Sequence, residues 1–291
     1  MISKEFSFNF MKHRKKAILL SLLAIIASLV CLMTRGLNFG IDFTGGNVIQ
    51  VEFESSVPVG DVRDVLADIG QNQAVIQAYS DRGVIIRVNV DTEDARKELV
   101  QALKNKYPSM EVLRHEKVGP VVGEKLRREA MLGLMLALLG ILGYITVRFQ
   151  FRFAVVSVLA LMHDAIITLG MFSLTGKEIS LPFVAAILTI VGYSLNDTIV
   201  VLDRVRENWK YLREKGILKI LDMSINSTLS RTINTSLTTF LPVLALFIWG
   251  GPVIANFSFA LLVGIVVGTY SSIYIAGSLL AEWYLKTPGK N

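Results

Sequence analysis

Six apolar runs, at residues 17–33, 130–147, 153–174, 181–202, 232–248 and 257–280, constrain this chain more than any other feature. Each is roughly the 20 residues that a helix needs to cross a hydrocarbon core of about 30 Å. Charged residues make up only 19% of the chain and hydrophobic ones 52%, whereas soluble domains average about a quarter charged. The expectation is a polytopic membrane protein with six transmembrane helices.

The formal net charge is +6, but its basic residues lie in tails and short loops beside the apolar runs, which points to membrane topology and not to nucleic acid. Lys12, Arg14, Lys15 and Lys16 precede the first run, and Arg148 and Arg152 separate the second from the third. Arg204, Arg206, Lys210, Arg213, Lys215 and Lys219 lie between the fourth and fifth, and Lys286 and Lys290 follow the sixth. With six spans all of these fall on one side, so both termini are expected to be cytoplasmic. The single cysteine, Cys31, rules out an internal disulfide framework and a cysteine-based zinc site. Neither a lipoprotein site at Val30-Cys31 nor an A-x-A-like cleavage site follows the first run, which reads as a retained anchor.

Only residues 37–128 are long enough to bury a core in water. Asn47–Glu54 alternates Ile49, Val51 and Phe53 with Gln50, Glu52 and Glu54, a half-buried strand. Pro58–Ile69 sets Val62, Val65, Leu66 and Ile69 on one helical face. Strands are expected over Ala74–Tyr79 and Gly83–Asn89, a helix over Asp91–Tyr107 capped by Asp91 or Thr92, and a last strand over Glu111–Val118. The order βαββαβ predicts an extracytoplasmic α+β ferredoxin-like domain between helices 1 and 2. The organisation is then a basic cytoplasmic tail (1–16), a first span (17–36), this domain (37–128), and spans 2–6 over 129–291 with a cytoplasmic loop at 203–230. No carboxylate pair, metal-ligand cluster or activated nucleophile stands out in the domain, and its one histidine, His115, reads as a surface residue. Binding or conformational work suits it better than catalysis.

Four strings are specific. Phe39-Gly40-Ile41-Asp42-Phe43-Thr44-Gly45-Gly46 enters the domain, and Val118-Gly119-Pro120-Val121-Val122-Gly123-Glu124-Lys125-Leu126-Arg127 leaves it. Gly192-Tyr193-Ser194-Leu195-Asn196-Asp197-Thr198-Ile199-Val200-Val201, followed by Asp203-Arg204-Val205-Arg206-Glu207-Asn208, ends the fourth run, and Ser230-Arg231-Thr232-Ile233-Asn234-Thr235-Ser236-Leu237-Thr238-Thr239 opens the fifth. In order and over nearly the whole chain they resemble the SecD/SecF protein-export family within the RND superfamily, and its SecF branch more than SecD; Leu202 departs from an aromatic residue common there. In physical terms Gly45 and Gly46 permit a turn that side chains would block, and Asp42 is placed to cap one. Gly119-Pro120 ends the strand pattern and starts a helix, a hinge between domain and membrane.

Ionisable residues inside apolar runs are costly and therefore functional candidates. His163-Asp164 lies in the third run, Asp197 near the inner end of the fourth, and Arg231 at the inner start of the fifth. Ala186, Thr189, Tyr193, Ser194 and Asp197 form one helical stripe, and Arg231, Asn234, Thr235 and Thr238 another. An Asp197–Arg231 pair is geometrically reasonable, either as a proton switch driven by helix movement or as a static ion pair. Asp164 is a further candidate, for ion passage or for a helix–helix hydrogen bond. Gly264-x-x-x-Gly268 and Gly133-x-x-x-Ala137 read as close-packing sites, and 203–230 as a helix on the inner membrane surface.

The resemblance implies a bacterial inner-membrane, multi-pass export subunit that works with SecD on proton motive force. Asp197 and Arg231, with an aspartate of SecD, would serve proton passage. SecYEG, YajC, YidC, unfolded preproteins and lipids would be its partners, and neither nucleic acid nor a cofactor nor a catalytic site is expected. Two other readings stay open: half of an RND-type lipid or drug exporter, and a structural scaffold of the translocon. Exporters of that type carry larger outer domains in two copies, while this chain has one small domain. The sequence holds no ATP-binding motif.

Overall fold

In the computed structural model residues 8–72, 74–88, 93–148 and 151–286 are described. A short turn of 3-10 helix, Phe10–His13, leads into α1 (Arg14–Arg35). Then come β1 (Asn38–Phe39), α2 (Ile41–Thr44), β2 (Gly46–Glu52), α3 (Val59–Asp68), β3 (Val75–Ala78), β4 (Gly83–Val88), α4 (Glu93–Lys106) and β5 (Glu111–Val118). The rest is almost wholly helical: α5 (Pro120–Arg148), α6 (Phe151–Thr175), α7 (Leu181–Asn208) after the short β6 (Glu178–Ile179), α8 (Leu212–Trp249), α9 (Gly251–Tyr270), a π-helical turn at Ser271–Ile275, and α10 (Ala276–Lys286).

The chain divides into two units, Phe39–Leu132 and the remainder. In the first, four antiparallel strands take the order β3–β4–β2–β5. Ile49, Val51 and Phe53 on and just after β2, with Val84, Ile86 and Val88 on β4, pack against Val62, Val65 and Leu66 of α3 and Leu99 and Leu103 of α4. The alternation along β2 and the 3.6-residue period along α3 and α4 produce this arrangement, because each element has one apolar face. The proposed caps Asp91 and Thr92 lie outside the described residues. His115 on β5 is exposed and hydrogen-bonds Asn47 Oδ1 at 3.0 Å.

Among the described residues, five helical stretches are long and apolar enough to cross a membrane: Phe10–Arg35, Val121–Arg148, Phe151–Thr175, Leu181–Trp249 and Ile254–Lys286. The fourth runs to 69 residues because α8 follows α7 through a single turn, Trp209–Tyr211, and it has non-helical backbone at Gly216 (φ 72°, ψ 159°). The stretch 203–230 therefore differs from the separate surface helix that its sequence suggests. It extends α7 and α8, and Val205, Ile217, Ile220, Leu221 and Ile225 are buried. Trp209 stacks edge-on against Phe153 and Tyr284. Asp222 of α8 accepts the Met11 amide at 2.9 Å, and Asn226 exchanges bonds with the backbone of Phe8.

Glycines set the closest helix approaches. A methyl on Gly264 of α9 would collide with Ile190 of α7, and one on Gly268 would come to 3.0 Å from Ser194 Cβ. The packing role expected of this pair fits these contacts. Gly133 is different: among the described residues a Cβ there meets nothing within 4 Å. Leu66 is fully buried in the core of the sheet-containing unit. Leu66→Ala should lower that unit's stability by about 2–5 kcal/mol, the usual cost of a cavity of this kind, read from urea denaturation of the whole detergent-solubilised chain.

Candidate functional site

Apolar helices leave few polar side chains inside the bundle, so each can be followed to its partner. Asp164 of α6 is 1% exposed. Its Oδ1 lies 2.8 Å from His163 Nδ1, and its Oδ2 accepts hydroxyls from Ser194 of α7 at 2.5 Å and Ser271 of the π-turn at 2.8 Å. His163 Nε2 lies 3.1 Å from Ser21 Oγ of α1, which is 3.2 Å from the Tyr270 hydroxyl; that hydroxyl donates to the Ala17 carbonyl at 3.0 Å. On the far side Ser272 bonds the Ser194 carbonyl and the Thr198 hydroxyl. Departures from α-helical pairing often mark functional segments, and here the π-turn is where Ser271 and Ser272 meet α7.

Asp197, one turn beyond Ser194 on α7, is in the opposite condition. It is 2% exposed, yet Oδ2 has no hydrogen-bond partner. Arg231 of α8 is the cation near enough to act on it electrostatically, but no ion pair or hydrogen bond joins the two. Thr232 Oγ1 of α8 is likewise buried without a hydrogen-bond partner. Polar atoms left unpaired in a protein interior are rare and costly, and Asp197 Oδ2 and Thr232 Oγ1 both fall on the packed pair α7–α8. Arg231 itself is exposed along the chain's surface, as are Asn234 and Thr238.

The structure thus separates the sequence candidates. Asp164 belongs to a saturated network spanning α1, α6, α7 and the π-turn. Asp197 and Arg231 belong to an unsaturated patch. Among the motif residues, Gly192 and Asn196 lie on the exposed side of α7 with Ala185 and Thr189. Gly40 precedes α2, its carbonyl taking the amides of Phe43 and Thr44, and Asp42 sits in the first turn of α2. Gly45 (φ 72°) and Gly46 (φ 121°) adopt backbone closed to other residues, and a Cβ on Gly46 would lie 2.8 Å from the Val88 carbonyl. Gly119 and Pro120 join β5 to α5, and three residues on Gly123 abuts the same turn, its added Cβ falling 3.0 Å from the Gly45 amide. Sequence reasoning missed Ser21, Tyr270, Ser271 and Ser272. Ala17, Ser21 and Ser28, spaced by four and seven residues, marked the inward face of α1.

Two family descriptions match the chain. "Protein export membrane protein SecD/SecF, C-terminal" covers residues 98–286, and the "SecD/SecF GG Motif" covers residues 32–57. The protein translocase subunit SecF of Desulfurispirillum indicum is 46% identical over 286 residues, covering 94% of this chain and 91% of the relative. SecF of Pseudomonas aeruginosa is 43% identical over 277 residues, with 94% and 90% covered. A crystal structure of the translocon-associated SecDF of Thermus thermophilus superposes with a TM-score of 0.92 at 41% identity. It covers 98% of this chain, which spans 40% of that longer one. SecDF in a super-membrane-facing form matches with a TM-score of 0.74 at 42% identity.

The two acids should respond differently to truncation. Asp164→Ala strips partners from an imidazole and two hydroxyls and should cost about 3–5 kcal/mol, as broken buried polar clusters do. Asp197→Ala removes no hydrogen bond and should stay within about 1 kcal/mol of wild type, since a group without partners has none to lose. Thermal unfolding of the detergent-solubilised protein compares the two.

Proposed function

The chain belongs to the SecD/SecF protein-export membrane protein family, and from that premise we propose that it acts as the SecF subunit of a protein translocase in the bacterial cytoplasmic membrane. With SecD it draws on the proton motive force to complete preprotein translocation. SecYEG, YajC and YidC, with lipids, complete its setting.

The observation that carries the reading is Asp197: a buried carboxylate with an unpartnered oxygen, beside an arginine that does not bond it. A static pair would close the distance, whereas an acid that changes protonation needs an environment it does not saturate. The exposed polar stripe of Arg231, Asn234 and Thr238, and the small-residue stripe of Ala185, Thr189, Gly192 and Asn196, suit a second helical subunit. A SecD aspartate brought to these stripes would share the proton. In the Thermus thermophilus relative both halves occupy one chain, and that partnership is carried over here.

Six crossings fit best. At about 1.5 Å per residue, the 69-residue stretch Leu181–Trp249 far exceeds one hydrocarbon core. The packing of α7 along α8 supports a reversal between them and two spans, and the basic residues beside the apolar runs support cytoplasmic termini. The strand order β3–β4–β2–β5 with its βαββαβ succession supports a ferredoxin-like outer domain. Domain movement draws support from a SecDF structure in a super-membrane-facing form, which this chain fits less closely than it fits the Thermus thermophilus SecDF. Each proton crossing the potential releases about 2.3 kcal/mol per 100 mV, enough to bias such a swing.

Inverted membrane vesicles with an imposed proton gradient test this, at equal SecD and SecF levels. Asp197→Asn and Arg231→Met should each abolish gradient-stimulated completion of a trapped preprotein while leaving the complex assembled. Normal export by both variants would assign the charges a structural role and leave the chain a scaffold.

A further inference from the structure

α1 is the helix that leads directly into the outer domain, and much of its surface is apolar and exposed: Leu19, Leu22, Leu23, Ile26 and Val30 all face outward. Its attachment to the bundle is polar and runs along α6. At the outer end Ser173 donates to the Cys31 or Gly36 carbonyl, at 2.8 and 2.7 Å, and Arg35 donates to the Leu174 carbonyl at 2.9 Å. Midway Ser28 fills the space that Gly170 leaves open. Further in, Ser21 meets His163, which is 3% exposed.

The atoms there allow two hydrogen-bond arrangements. Asp164 Oδ1 takes the Nδ1 hydrogen of His163, which leaves Nε2 as the unprotonated ring nitrogen. Ser21 Oγ has one hydrogen and two neighbours, Nε2 at 3.1 Å and the Tyr270 oxygen at 3.2 Å. With the ring neutral, Ser21 donates to Nε2. When Nε2 gains a proton it becomes a donor, Ser21 must accept, and the serine hydrogen turns to Tyr270, whose own hydrogen stays on the Ala17 carbonyl. One proton is taken up, no covalent bond other than N–H forms, and every hydroxyl keeps a partner.

We propose that His163 is a positioning residue for energy coupling: by taking up and releasing a proton at Nε2 it switches the Ser21 link and so transmits proton occupancy from the bundle interior to α1. The proposal rests on the proton-coupled reading of Asp197 and adds the route by which α1 responds. The groups facing the imidazole are Asp164 on its own helix, the Ser21 hydroxyl from α1 and the Tyr270 phenol from α9, whose ring centroid is 6.2 Å away. Tyr274 of the π-turn stacks one ring further out. α7 contributes Ser194 through Asp164 and, a turn on, Asp197. α10 carries Glu282, bonded to Arg14 at the start of α1.

Cys31, the only cysteine in the chain, reports on α1. The experiment measures its alkylation by a maleimide in the assembled SecD–SecF complex in inverted vesicles, scored on the SecF band, with and without a proton gradient. The wild-type rate should change several-fold on energisation. In His163→Gln, which keeps amide hydrogen bonds toward Asp164 and Ser21 but does not titrate, the resting rate should persist and the change vanish. Ser21→Ala should also remove the change. A full gradient response in His163→Gln, or no response in wild type, overturns the proposal. Asp197→Asn run in parallel separates the two readings: export that remains gradient-stimulated there refutes proton use at Asp197, whereas loss there with an intact response in His163→Gln refutes the His163 link alone.

Discussion

A polar side chain between membrane helices has no water to fall back on, so it finds its partners inside the protein or leaves them unmade. The helical unit of this chain turns on that constraint. Asp164 satisfies it completely, drawing His163, Ser194 and Ser271 onto one carboxylate and tying α1, α6, α7 and the π-turn into one cluster. Asp197 does not satisfy it, although it lies only a turn away on the same helix. The first arrangement joins those segments through one carboxylate. The second leaves a buried carboxylate oxygen without a hydrogen-bond partner.

The two conditions suit a machine that moves one part against another. Close packing of Gly264 and Gly268 of α9 against Ile190 and Ser194 of α7 fixes the interior. The faces left open, on α7 at Thr189, Gly192 and Asn196 and on α8 at Arg231, Asn234 and Thr238, are small or polar, and small residues let a neighbouring helix approach closely. Two connections enter the outer domain, α1 through the Gly45-Gly46 turn and β5 through Gly119-Pro120, and Gly123 seats α5 against that turn.

Much of this was legible in the sequence because the governing signals are long or periodic. Apolar length marked the membrane helices, alternation marked β2, and Val62, Val65 and Leu66 marked the inner face of α3. The start of α5 at Pro120 was legible too, from Gly119-Pro120, although hydropathy alone places its apolar run about a third of the helix later, past Glu124, Lys125, Arg127 and Arg128. The segment 203–230 looked like a surface helix because its amphipathic pattern does not say whether bilayer or bundle covers the apolar side. Asp164, Asp197 and Arg231 stood out as charges in apolar runs. The division between a saturated and an unsaturated acid did not, because it depends on Ser21, Tyr270 and Ser271, hydroxyls whose neighbours are fixed only by tertiary packing.

Infrared difference spectroscopy of the purified SecD–SecF complex in lipid, taken between acid and alkaline buffer, tests most directly whether Asp197 exchanges a proton. Subtracting the Asp197→Asn spectrum isolates its carboxyl. A protonated-carboxyl band that is present in acid, lost in alkali and absent from the variant is the expected result. A carboxylate signature from Asp197 unchanged across the whole range would contradict a proton-exchanging role and make it a fixed charge.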